Sequence, residues 1–159
     1  MHHHQLILCA VIFLIVHASC APEPKGDFRF LGSDEVVEGK ALTYVYRPPS
    51  ILGDSAVCNL IINDELVGGL QAGQYTFRFL PPGKTRFEAG GTSSAFVTVN
   101  LRENHQYFIR QTWCLRATGF HPLVDNMTKV KAEPDLKLCS YIEKPKEIEE
   151  IEESEEKQE

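Results

Sequence analysis

Alternation between apolar and polar residues is the main signal along this chain, and it predicts β-strands from residue 41 onward. In residues 74–80, for example, Tyr75, Phe77 and Phe79 fall on one face of a strand and Arg78 falls on the other. No long segment repeats its apolar residues at the 3.6-residue spacing of a helix. The pattern predicts seven strands, at residues 42–47, 56–63, 66–70, 74–80, 85–89, 94–101 and 106–115.

Turn residues separate these segments and indicate how the strands connect. Pro48-Pro49 ends the first strand, because proline has no backbone N–H to donate to a ladder. Pro81-Pro82-Gly83-Lys84 predicts a turn between two neighbouring strands, so we expect hairpin connections to dominate. Residues 124–130 fit a strand or a helical turn equally, and residues 136–141 fit an edge strand. We therefore expect an all-β fold, an antiparallel sandwich of the immunoglobulin or transthyretin kind with about seven strands.

The N-terminus predicts export and a lipid anchor. Residues 6–16 form an uninterrupted apolar run of eleven residues, which is too short to span a bilayer but suits a signal peptide. The following Ala18-Ser19-Cys20 resembles a bacterial lipobox, in which the cysteine is lipidated and becomes the new N-terminus. His17 departs from that pattern, as do the three histidines that replace a basic n-region. An ordinary secretory signal is the alternative.

This interpretation divides the chain into four parts and gives it a location. Residues 1–19 are a signal peptide, 20–40 a lipidated N-terminus and tether, 41–142 the sandwich, and 143–159 a disordered acidic tail. Ala21 follows the lipidated cysteine, which by resemblance to enteric lipoproteins indicates the outer membrane, facing the periplasm. A secreted, extracellular product is the alternative location.

Composition narrows the classes of partner. Acidic residues outnumber basic ones by 22 to 16, giving a formal net charge of −6. A nucleic-acid-binding surface needs an excess of lysine and arginine, so nucleic acid is not an expected partner. The membrane, reached through the lipid, is the expected contact, together with an envelope protein or a saccharide.

Five cysteines are present, and three of them lie in the predicted domain: Cys58, Cys114 and Cys139. In an oxidising compartment we expect one disulfide and one free thiol. Geometry decides which pair forms, and we favour Cys114 with Cys139.

Catalytic and metal sites are not predicted. Cys114 with His105 or His121 would make a cysteine-hydrolase pair, but a cysteine in mid-strand beside Trp113 fits a core position better. Asp54, Asp64 and Glu65 fit turn positions and lack the spacing of a calcium loop. We assign no catalytic residue, metal or cofactor.

One group of strand residues suits a binding surface. Tyrosine and arginine are the types enriched at protein interfaces. The same aromatic residues also suit a core, so both interpretations stand at this point. The candidate binding patch consists of Tyr44, Tyr46, Arg47, Tyr75 and Arg78.

Several short motifs in a fixed order resemble the bacterial DUF2846 family, over roughly residues 41–115. The resemblance implies a β-sandwich similar to PEGA-type and carboxypeptidase-regulatory-like modules, usually in small lipoproteins or membrane proteins. It implies no known activity. The motifs are Tyr44-Val45-Tyr46-Arg47-Pro48, a hairpin at residues 60–69, Gly73-Gln74-Tyr75, Leu80-Pro81-Pro82-Gly83-Lys84 and the aromatic pair Tyr107-Phe108.

These observations favour a non-catalytic envelope lipoprotein whose sandwich binds another envelope component. A secreted, disulfide-containing binding or adhesion protein without lipid is the first alternative. A cysteine-dependent hydrolase is the second.

Overall fold

The computed structural model describes residues 37–50, 56–90, 94–117 and 119–143. The predicted signal peptide, the predicted lipidation site Cys20 and nearly all of the acidic tail lie outside the described residues.

Nine strands and one helix form within the described part of the chain, and they build two stacked sheets. The five-stranded sheet has the order β8-β7-β1-β4-β9, and the four-stranded sheet has the order β3-β2-β5-β6. The predicted all-β sandwich is confirmed. The elements are β1 (Ala41–Arg47), β2 (Cys58–Ile62), β3 (Glu65–Leu70), β4 (Gln74–Leu80), β5 (Gly83–Gly90), β6 (Ala95–Leu101), β7 (Gln106–Arg116), β8 (Gly119–Met127), α1 (Lys129–Leu136) and β9 (Ser140–Tyr141).

Three antiparallel hairpins are local: β2–β3, β5–β6 and β7–β8. The first turns through Asn63 and Asp64, whose φ angles are 50° and 67°. Two consecutive left-handed residues match the turn that suits the twist of a hairpin, and Asn and Asp tolerate that conformation best after glycine. The backbone N–H of Arg86 on β5 donates to Asn63 Oδ1 at 2.9 Å, which ties the turn to the neighbouring strand.

Two parts of the expected topology are wrong. β4 pairs with β1 and β9, whereas β5 pairs with β2 and β6, so the Pro81-Pro82 turn carries the chain from one sheet to the other. Two consecutive prolines donate no backbone hydrogen bond, which disfavours closing a hairpin there. The sandwich is also not purely antiparallel, because β1 lies parallel to β7 and β4 lies parallel to β9.

The C-terminal part contains elements that the pattern left open. The ambiguous segment at residues 124–130 divides between the end of β8 and the start of α1. Of the edge strand predicted at residues 136–141, only Ser140–Tyr141 pairs with β4, because Leu136 belongs to the helix.

The apolar core has two layers, one on each side of the five-stranded sheet. The inner layer lies between the sheets and includes Val45, Leu60 and Phe87. The outer layer lies between that sheet and α1, where Ala132 and Leu136 are fully buried. β1 is therefore covered on both faces, and all seven of its residues are buried.

Candidate functional site

The predicted binding patch does not form an exposed surface. Tyr44, Tyr46 and Tyr75 belong to the outer core layer and are at most 4% exposed, and Arg47 is 1% exposed. Their burial follows from the central position of β1 between two covered faces. Only Arg78 is partly exposed, and its guanidinium donates back to Phe77 O at 3.0 Å.

Arg47 instead joins the two sheets. It ends β1, and its Nη1 donates to Ala56 O and, at 3.1 Å, to Leu70 O at the end of β3. The guanidinium carbon also lies 5.9 Å from the ring centroid of Trp113 on β7. These contacts fix a buried cationic group at one end of the sandwich.

Gln111, next to Arg47 on the inner face, presents an unsatisfied acceptor. Its side chain is fully buried, and its Nε2 donates to Asn59 O on β2 at 3.2 Å. Because a carbonyl oxygen only accepts, this bond fixes the orientation of the amide and turns Oε1 away from Asn59. Oε1 has no hydrogen-bond partner within the described residues, and neither has Nε1 of Trp113. One buried acceptor and one buried donor therefore remain unsatisfied in this region.

A cavity of about 160 Å³ opens at this end, where β7 continues past the end of β1. We call it the end cavity. Its lining combines the buried cation, the amide, the indole, two hydroxyl groups and two proline rings: Arg47, Pro48, Pro49, Ser50, Gln111, Thr112 and Trp113. Arg47 and Gln111 are at most 1% exposed, so the accessible surface of the cavity comes mainly from the prolines, Ser50, Thr112 and Trp113.

A second, more open depression of about 280 Å³ lies beside the β2–β3 hairpin. It is lined by residues that include Ile62, Glu65, Val67 and Arg78. Arg78 is thus the one residue of the predicted patch that borders an open surface there.

The three described cysteines are free thiols, so the predicted Cys114–Cys139 disulfide is not formed. Cys139 Sγ lies 3.5 Å from the carbonyl oxygen of Arg47 at the end of β1. In the β1–β7 register Tyr46 lies opposite Arg110, which places Gln111 beside Arg47. Cys114 lies three residues further along β7 than Gln111, which is about 10 Å at the rise of a strand. Disulfide-bonded Cα atoms lie within about 7 Å, so this register keeps the two thiols apart.

Burial makes two of these thiols poor nucleophiles. Desolvation, with the nearby Asp135 carboxylate, raises the pKa of Cys139 to about 12. Desolvation raises the pKa of Cys58 to about 11, against a smaller opposing effect of the Arg47 cation. Both remain protonated near neutral pH, whereas the thiolate is the reactive form.

The strand register brings together one of the two cysteine–histidine pairs that the sequence suggested. Cys114 on β7 lies directly opposite His121 on β8, while His105 precedes β7 at its other end. Among the described residues, no group of three histidine, cysteine or acidic side chains could hold a metal ion.

Gln111 and Trp113 were not predicted from the sequence as site residues. A signal was present, because a glutamine two residues before the only tryptophan places an amide on the same strand face as the indole. What the pattern could not show is that this face meets a second sheet and ends at an opening.

Two stacked sheets with a polar cavity at one end define a β-sandwich module. Residues 37–121 match the family described as "Protein of unknown function (DUF2846)". The match covers more than half of the 159 residues, so the chain belongs to this family, and the predicted family is confirmed. The match ends inside β8, so α1 and β9 lie beyond it. No curated protein matches the chain in sequence.

Across the described ranges, no helix is long and apolar enough to cross a membrane.

Proposed function

We propose that this protein is a non-catalytic lipoprotein of the bacterial cell envelope, anchored through Cys20, whose sandwich binds another envelope component. The apolar run at residues 6–16, followed by Ala18-Ser19-Cys20, carries this proposal. Each buried methylene of an acyl chain contributes about 0.8 kcal/mol, so the two or three chains of a lipoprotein hold it stably on a membrane.

The structure supports the non-catalytic part of the proposal. The thiols of Cys58 and Cys139 are buried and have raised pKa values, which removes two of the three described cysteines as candidate nucleophiles. The end cavity offers a place for a ligand. We also propose that the domain is related to PEGA-type and carboxypeptidase-regulatory-like modules. The two-sheet architecture supports this relation.

The anchor is tested by fractionating bacterial cells that produce the full chain. We expect the protein in the membrane fraction, and intact mass should show a diacylglyceryl group on an N-terminal Cys20. Cys20→Ala should move the protein to the soluble fraction. Cys9→Ala, the same change inside the leader, should leave it on the membrane.

Unchanged fractionation of Cys20→Ala would contradict the anchor. A soluble wild-type product that lacks the leader and the lipid would instead favour the secreted alternative.

A further inference from the structure

We propose that two copies of this protein pair through strand β6, which joins their four-stranded sheets into one continuous sheet. β6 lies at the edge of that sheet, and within the described residues no strand pairs with its outer side. This interface goes beyond the proposed function and does not depend on the lipid anchor.

The strands at the sheet edges of the described part differ in how they discourage further pairing. β9 is two residues long, β3 begins with Glu65 and shifts its register against β2, and β8 contains Pro122 and Asp125. Short strands, charges, prolines and bulges are the usual protections of an edge. β6 has none of them, because its seven residues carry no charge or proline and pair with β5 without a register shift. An unprotected edge of this length is expected to have a partner strand.

The strand register shows which backbone groups of β6 point outward. On β5 the backbone of Arg86 faces β2, because its N–H donates to Asn63 Oδ1 and its oxygen accepts from Asn63 N, both at 2.9 Å. Successive residues of a strand direct these groups to opposite sides, so Phe87 faces β6 and its partner Val97 faces β5. The free edge of β6 therefore carries the backbone groups of the alternate residues Phe96, Thr98 and Asn100.

These three residues make the edge complementary to itself. With a two-fold axis at Thr98, Thr98 lies opposite its own copy, and Phe96 lies opposite Asn100 of the second copy. Each such pair exchanges two backbone hydrogen bonds, so every outward-facing N–H and C=O finds a partner. Asn100 O also accepts from the Tyr107 hydroxyl at 3.3 Å, which leaves its second lone pair for the ladder.

The side chains beside this ladder favour a second copy as the partner. Phe96, Thr98 and Asn100 are exposed, and Phe96 is 59% exposed. The neighbouring Arg86 stacks on the Phe96 ring at 4.2 Å and forms an ion pair with Glu88 at 2.8 Å. Like charges directly opposite each other destabilise a strand pair. Two copies of an uncharged strand avoid that cost and cover the Phe96 rings as they meet.

Cysteine cross-linking tests this register in bacterial cells that produce the full chain. Thr98→Cys and Asn100→Cys are each combined with Cys114→Ala, which removes the one described thiol that is not buried. After mild oxidation, Thr98→Cys should run as a disulfide-linked dimer, because Cα atoms in a hydrogen-bonded pair lie about 5.5 Å apart. Asn100→Cys is the matched control and should stay monomeric, because its two copies are displaced by about 13 Å along the strands.

Light scattering of the purified protein, corrected for bound detergent, measures the assembly without a cross-link. The wild-type protein should have twice the mass of one chain. Thr98→Lys places like charges opposite each other at the axis, so the mass should fall to that of one chain. Leu66→Lys adds the same charge to an exposed position on β3, at the opposite edge of the sheet, and should leave the dimer intact.

Several results would overturn the proposal. A wild-type mass of one chain, without a cross-link from Thr98→Cys, would show that the edge stays unpaired. Equal cross-linking of the two cysteine variants would indicate collision in place of a fixed register, and a dimer that survives Thr98→Lys would place the interface elsewhere. A cross-link from Thr98→Cys to a different protein would assign the edge to that protein. The anchor is read by intact mass and is independent of these outcomes.

Discussion

At the scale of single residues, burial decides what each reactive side chain can do. Cys139 Sγ donates to the carbonyl oxygens of Arg47 and Asp135, and Cys58 lies in the core near the same arginine. Cys114 is only partly buried. The sequence does not distinguish these three thiols from one another. The order of their reactivity therefore could not be predicted from it.

We therefore predict selective alkylation. Iodoacetamide at pH 8 should modify Cys114 well before Cys58 or Cys139, because a pKa near 11 or 12 leaves almost no thiolate. Peptide mapping by mass spectrometry measures the extent at each site. In urea all three should react alike, which serves as the control. Equal reactivity of Cys139 and Cys114 in the folded protein, or a disulfide between them under non-reducing conditions, would contradict the structure.

At the scale of elements, the sequence predicted strands well, but at the start of the helix it left residues 124–130 open between a strand and a helical turn. β4 has the predicted bounds, and its period-two pattern is the reason. α1 contains Pro134, which removes a helical hydrogen bond, and its capping residue Thr128 makes no side-chain bond to the helix. Tertiary packing of Ala132 and Leu136 against the sheet therefore stabilises this helix, and no local sequence pattern predicts such packing.

This packing predicts an asymmetric response to mutation along α1. Leu136→Ala should lower the free energy of unfolding by about 2–5 kcal/mol, because Leu136 is fully buried against the aromatic layer. Val130→Ala shortens a side chain of the same helix that is 82% exposed, and should change stability by no more than about 0.5 kcal/mol. Urea unfolding measures both. Similar losses for the two variants would show that the helix does not dock as described.

At the scale of the whole molecule, the family and the two-layer architecture could be predicted, but the order of strands could not. Alternation shows that Tyr44 and Tyr46 share a face, without showing whether that face meets solvent or a helix. The answer depends on β7, which follows far along the chain yet places β1 in the centre of its sheet. The burial of the candidate patch and the position of the end cavity both follow from that placement.

The buried thiols also make the stability of the whole molecule depend on pH. Their folded pKa values, about 11 and 12, lie above the ordinary value of 9.0. Their contribution is therefore complete below about pH 9 and is lost as pH rises toward the folded values, because the unfolded chain releases its protons first. We expect the free energy of unfolding to fall by roughly 1 kcal/mol per thiol for each pH unit between 9 and 11.

Urea unfolding at pH 8, 9 and 10 measures this dependence. The double variant Cys58→Ala/Cys139→Ala should show a shallower decline, while Cys114→Ala should keep the full decline. A double variant that declines as steeply as the parent would refute the assignment.

The central position of β1 affects how the protein folds. β1 is made before every other strand of the sandwich, yet its antiparallel partner is β4 and its parallel partner is β7. The chain must therefore reach residue 80 before β1 has its first partner, and residue 110 before it has its second. Pairings so distant along the chain are slow to form and leave the nascent protein open to aggregation. The segment that is fully buried in the folded protein is thus the first strand to be made, and its two partners follow only later in the chain.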